Sequence, residues 1–98
     1  MTIDFSQVLL DHNGKPFPDA DAPESVWTLG KVCETAVMND CKDASGEAKY
    51  EDWNLISKIR GASVVDVTVK EILRFKTAVG KVYPTAFVGP AWNLLEGK

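Results

Sequence analysis

Residues 68–83 read T-V-K-E-I-L-R-F-K-T-A-V-G-K-V-Y. At 100° per residue, Val69, Ile72, Leu73, Phe75, Val79, Val82 and Tyr83 fall on one side of a helix, over an arc of roughly 180°. Lys70, Arg74, Thr77 and Lys81 line the opposite edge. So wide an apolar arc predicts a central helix, contacted from more than one side. Thr68 followed by Glu71 forms a capping box, in which hydroxyl and carboxylate each satisfy a backbone N–H of the first turn. Pro84 ends the helix, because it biases Tyr83 away from helical angles. Lys76 breaks the pattern by pointing into the apolar arc.

Two further helices precede this one. In the first, from Thr28 to about Cys41, Leu29, Val32, Cys33, Ala36 and Val37 make one stripe, with Thr28 as N-cap. Gly30 in its first turn either admits another element closely or is incidental. The second runs from about Glu47 to Arg60. Ala48, Trp53, Leu55, Ile56 and Ile59 share a face there, and Gly61 follows as its stop. Asp52 intrudes on that face as Lys76 does on its own. If the two helices pack together, the pair should meet, since a buried charge is tolerated only when paired; otherwise each reaches for the rim.

The remaining stretches are shorter. Asn13-Gly14 signals a two-residue hairpin turn between strands at about Ser6–His12 and Lys15–Pro18, with Leu10 facing Phe17. Pro16 and Pro18 confine the second strand to an edge. Residues 19–25 are a polar connector. Residues 63–67, S-V-V-D-V, are either a strand beside the hairpin or an extended link. After Pro84, Gly89-Pro90 predicts a turn followed by a short helix over 90–96, with proline at its first position. The expected architecture is α+β: one domain over residues 1–98, an N-terminal β-hairpin packed on three to four helices.

Composition sets the limits. A chain of 98 residues buries roughly 65% of its unfolded surface, enough for one core. With 45% apolar and 26% charged residues it reads as globular. No apolar run approaches the ~20 residues of a membrane span, and M-T-I-D-F-S does not open like a signal peptide. A cytoplasmic location is expected. Cys33 and Cys41 lie about 12 Å apart if one helix carries both, too far for a disulfide, and could meet only if that helix ended near Asn39; free thiols dispensable for function are the favoured expectation. The net charge of −3 is uneven: residues 1–24 hold five acids and one base, residues 64–98 three acids and five bases. Such asymmetry means either solvated faces of opposite sign or head-to-tail self-association.

The chemical inventory is thin. The single histidine, His12, sits by the hairpin turn, far in sequence from either cysteine. No metal-ligand spacing, phosphate loop or dinucleotide pattern occurs, so no catalytic, metal or cofactor residue is assigned. A pI near 5.0 argues against a nucleic-acid partner; Lys70, Arg74 and Lys81 are a small basic edge, better read as solvation of a helix.

The stretches D-H-N-G-K-P-F-P (11–18), T-L-G-K-V-C (28–33), S-G-E-A-K (45–49) and V-G-K-V-Y-P-T-A-F-V-G-P-A-W-N-L-L-E (79–96) resemble small accessory proteins of tailed phages and prophages. The resemblance implies a non-enzymatic accessory or morphogenesis protein, in the host cytoplasm or in a virion, and transfers no functional residue. The expected function is therefore protein interaction, self-association first, with binding of a host protein as the alternative. The expected interface is Phe87, Val88, Trp92 and Leu94, because a short broken segment cannot hide so many large apolar groups on one side, together with Tyr50 at the edge of its helix. The competing reading is that residues 84–96 fold back to cap the hairpin.

Overall fold

The computed structural model describes residues 1–19, 22–40, 45–61 and 63–97. In chain order the elements are β1 (Thr2–Asp4), β2 (Pro18–Asp19), β3 (Ala22–Val26), α1 (Leu29–Asn39), α2 (Gly46–Ile59), β4 (Val64–Asp66), α3 (Val69–Val82) and α4 (Thr85–Leu95). An N-terminal antiparallel hairpin thus stands against four helices, an α+β fold with a small helical bundle.

The helix starts follow from local chemistry. Thr28, Ser45 and Thr68 each accept from the amide three residues on, at 3.2, 3.1 and 3.1 Å. Glu71 returns the contact by accepting from the Thr68 amide at 2.8 Å, which completes the capping box. Gly61 after α2 takes φ 73°, a conformation other residues adopt at a cost. Gly30 earns its place by proximity. Its amide donates to the Phe5 carbonyl at 2.8 Å, and a Cβ there would stand 3.0 Å from that same oxygen.

α3 is central. Ile72, Phe75, Ala78 and Val79 are buried, and Phe75 meets Phe5 edge-on with ring centroids 5.6 Å apart. α1 packs along α3, and both lie between α2, against α1, and α4, against α3. The expected arc of α3 is only partly used: Val69 and Leu73 are 79% and 61% exposed, since among the described residues no element covers that flank.

The structure corrects four local expectations. Near Asn13-Gly14, the Asp11 amide donates to the Lys15 carbonyl at 2.8 Å, closing a three-residue loop in which Gly14 takes φ 79°. The extra residue puts Leu10 opposite Pro16 instead of Phe17. Longer pairing falls in the stretch expected as a connector, where Pro18 pairs with Val26 and Asp19 with Ala22. Prolines 16 and 18 lack the amides a longer ladder with residues 6–12 needs. Residues 9, 17 and 27 are instead bonded pairwise: Leu9 amide to Trp27 carbonyl (2.9 Å), Phe17 amide to Leu9 carbonyl (3.3 Å) and Trp27 amide to Phe17 carbonyl (3.0 Å). Residues 64–66 form a strand, but beside the N-terminus, with Ile3 opposite Val65, and not beside the hairpin.

The third correction concerns α4, which begins at Thr85 and runs through Pro90. Pro90 sacrifices one helical hydrogen bond. Continuing the helix keeps Phe87, Ala91 and Leu95 at i, i+4 and i+8 facing the core, with Ala91 and Leu95 fully buried. The fourth concerns the intruding charges. Asp52 pairs with Arg74 at 2.8 Å, and Lys76 pairs with Glu96 at 2.7 Å. Arg74 and Lys76 are two residues and so about 200° apart around α3; the first faces α2 and the second α4. Cys33 is buried and free; Cys41 lies outside the described residues.

Candidate protein interface

Each of the five interface residues expected from the sequence can be placed. Phe87 is half-buried in an aromatic cluster that ties α4 to the hairpin: it stacks on Phe17 with centroids 4.4 Å apart, and meets Tyr83 at 5.2 Å and Trp27 at 6.0 Å. Val88, Trp92 and Leu94 are half-buried against the core. Trp92 donates its indole N–H to the Lys76 carbonyl at 3.1 Å, and the Lys76 ammonium sits 4.7 Å from the centre of its ring. Tyr50 is 67% exposed on α2, on the far side of α1 and α3 from α4. The structure therefore brings four of these residues together on α4 and leaves Tyr50 apart.

What α4 offers to solvent is its other face. Ala86, Gly89, Pro90 and Asn93, at i, i+3, i+4 and i+7, are small or short, so the helix surface there is a trough. Val8 and Leu10 face it from the hairpin arm, 38% and 46% exposed, while Leu9 between them is fully buried. Alternation along an extended segment forces this arrangement. Together with Leu94 they line an open groove of about 710 Å³. Asp11 and His12 also line it. The Asp11 carboxylate is fixed there by the amides of Asn13 (2.8 Å) and Lys15 (3.0 Å). From the sequence, Leu10 was expected only as the strand partner of Phe17, and neither it nor Val8 was expected at an interface. Their signal was the doublet Leu9-Leu10, because adjacent residues of a strand cannot both be buried on one face.

A second apolar surface lies on α2. Trp53, expected in the core, is 50% exposed beside Met38 at 49%. They line a shallow recess of about 200 Å³ with Val37, Lys49 and Ile56. The Arg60 guanidinium lies 5.5 Å from the Trp53 ring centre and is held by Glu34 at 2.7 Å.

The polar groups of the interior serve structure. Arg74 grips both carboxylate oxygens of Asp52, at 2.9 and 2.8 Å, and reaches Asp40 at 2.8 Å. Lys81 approaches the same Asp40 at 3.9 Å but stays exposed, as Lys70 does, so Arg74 alone of the basic edge is turned inward. Burial pushes the Cys33 thiol far above its ordinary pKa and holds it neutral. Burial also raises Tyr83, whose hydroxyl is shut from solvent near Thr35 without a hydrogen bond of ordinary geometry. Among the described residues no three His, Cys, Asp or Glu side chains are grouped to hold a metal ion, and no helix is long and apolar enough to cross a membrane. Comparison with protein-family models, with curated proteins and with solved structures returns no match to this chain.

Proposed function

We propose that this chain is a non-enzymatic protein-interaction module of phage origin that self-associates as a structural or assembly protein, in the host cytoplasm or in a virion. The observation that carries the reading is the groove between the hairpin arm and α4: about 710 Å³, open, and walled by exposed Val8 and Leu10. Exposed apolar residues gathered around a concavity mark a place where another surface docks. Phage origin is supported by the sequence resemblance alone. The test is mass in solution across a concentration series, by sedimentation or light scattering, against the 10.7 kDa of one chain. Assembly that grows with concentration supports the proposal. A protein that stays monomeric throughout overturns self-association and leaves capture of a host protein as the reading to pursue.

A further inference from the structure

We propose that Asn13 is a site of covalent self-modification, at which the Gly14 nitrogen displaces the side-chain amide and leaves aspartate or isoaspartate, and that the Asp11 turn sets the rate. The inference does not depend on what docks in the groove.

The chain has four asparagines, and Asn13 alone is followed by glycine. That neighbour matters because the attacking nitrogen belongs to the next residue, where a side chain would crowd its approach to the carbonyl. Asn39, Asn54 and Asn93 are followed by Asp40, Leu55 and Leu94, and they lie in α1, α2 and α4. A helix also holds the following amide in its own hydrogen bond, as when Asp40 donates to the Ala36 carbonyl at 2.9 Å. Asn13 and Gly14 are exposed at a loop tip, where backbone opens at least cost.

The chemistry needs only water. The Gly14 nitrogen gives up its proton and bonds to the side-chain carbonyl carbon of Asn13. The bond from that carbon to the side-chain nitrogen breaks, and the nitrogen leaves as ammonia with the proton. A five-membered imide remains. Water adds to one of its two carbonyl carbons and breaks the bond from that carbon to the Gly14 nitrogen. Addition at the side-chain carbon restores the main chain and leaves aspartate. Addition at the main-chain carbon routes the chain through the side chain, as isoaspartate. The sum is amide and water to carboxylic acid and ammonia, with nothing oxidised or reduced.

The folded turn restrains the attack. The Gly14 amide donates to the Asp11 carbonyl at 2.9 Å, so its nitrogen is committed elsewhere. The Asp11 carboxylate accepts from the amides of Asn13 and Lys15, at 2.8 and 3.0 Å, and the Asp11 amide donates to the Lys15 carbonyl at 2.8 Å. An aspartate that bonds to the backbone two residues on fixes a turn by itself. These bonds lie at an exposed loop and must open before the nitrogen reaches the side chain, so the Asp11 clasp governs how often it does. The product acts back on the turn. Isoaspartate lengthens the three-residue loop by a main-chain atom, and aspartate sets a second carboxylate beside Asp11.

Intact mass and peptide mapping test the site. The wild-type chain is incubated at mildly alkaline pH, folded and in urea, beside Asp11→Ala and Asp11→Ser, with circular dichroism to confirm that the variants fold. The peptide holding residue 13 should gain about one dalton and separate into two products, while those holding Asn39, Asn54 and Asn93 stay unchanged in the folded chain. The rate should rise several-fold from wild type to Asp11→Ser, whose hydroxyl clasps more weakly, rise again in Asp11→Ala, and be highest in urea. Asn13→Gln should abolish the gain, since its ring would be larger. If the Asp11 variants do not fold, wild type in urea below its unfolding transition replaces them, and the rate should climb before the fold is lost. A folded chain that keeps Asn13 intact while the unfolded chain converts overturns the site. Equal rates in wild type, variants and urea overturn control by the turn, and equal gains at the helical asparagines overturn the part assigned to Gly14.

Discussion

Arg74 joins three elements through one planar group. It takes both oxygens of Asp52 on α2, and on Asp40, the residue capping the end of α1, it binds the carboxylate and the carbonyl, the latter at 3.1 Å. Its pKa is raised, first by the hydrogen bond to Asp52, so it stays charged at any pH of interest. Lysine cannot reproduce this fork, because an ammonium is a point charge without bidentate geometry. Arg74→Leu would leave the half-buried Asp52 carboxylate without a cation and Asp40 with Lys81 alone, 3.9 Å away, and should cost about 2 kcal/mol, or roughly 10 °C in Tm. In a cycle with Asp52→Asn, the double variant should lose less than the sum of the singles; additive losses would show that the contact is not energetically coupled. Asp52 could be recognised in the sequence as a charge on an apolar face. Its partner could not, because periodicity says which face of a helix a residue occupies but not how far the neighbouring helix is rotated. A rotation of about 200° separates Arg74 from Lys76, and it exchanged the expected pair for two others.

Among the elements, α4 shows best what the sequence hid. The first three helices were legible because each begins with a side chain that caps it and carries an apolar stripe at the right period: Leu29 to Val37, Leu55 to Ile59, Ile72 to Val79. α4 has no side-chain cap, and Gly89-Pro90 in its middle reads as a break. Tertiary packing overrode that signal, since the core-facing row Phe87, Ala91, Leu95 is only assembled when the helix runs through. The hairpin was legible as a fold element and misplaced in register, because the two prolines that limit it say where hydrogen bonds are missing and not where pairing resumes. The groove was missed for a related reason. It is made by small residues on α4, and small residues leave no apolar signature. Gly89 is therefore informative. It has no positive φ, and a Cβ there would meet nothing within 4 Å. Gly89→Ala gains helix propensity, but it also places a Cβ before Pro90, which disfavours helical angles, so Tm should change little. The same methyl group fills part of the trough, so assembly should weaken at nearly constant Tm. A variant of unchanged stability that assembles as before would remove Gly89 from the docking surface.

For the whole molecule, the groups whose titration is altered by folding define a pH window. Asp4 is held below its ordinary 3.8 by its hydrogen bonds with Ser6. Burial raises Glu71, but the bonds from Lys58 and Thr68 more than offset that, and its pKa ends below the ordinary 4.5. Carboxylates depressed in the folded state contribute stability above their unfolded values and lose it as pH falls through their folded ones, so the acid limb should begin near pH 4.5. Both are exposed enough for salt to screen them, which makes that limb shallow. The alkaline limb has a different origin. Burial lifts Cys33 well above its ordinary 9.0, and burial lifts Tyr83 above its ordinary 10.0. A group with a raised folded pKa contributes its full stability below the unfolded value. As pH rises past 9.0 the unfolded thiol ionises while the folded one stays protonated, so the unfolded state gains about 1.4 kcal/mol per pH unit from Cys33 alone. Tyr83 adds to the slope above pH 10.0. Urea unfolding across pH 6–11 with a reductant should therefore show a plateau that turns down near 9, and Cys33→Ala should move the turn to about 10 even though its plateau lies lower from the lost packing. An unchanged onset in Cys33→Ala would mean that the thiol ionises as readily folded as unfolded, and that α1 does not seal it from water.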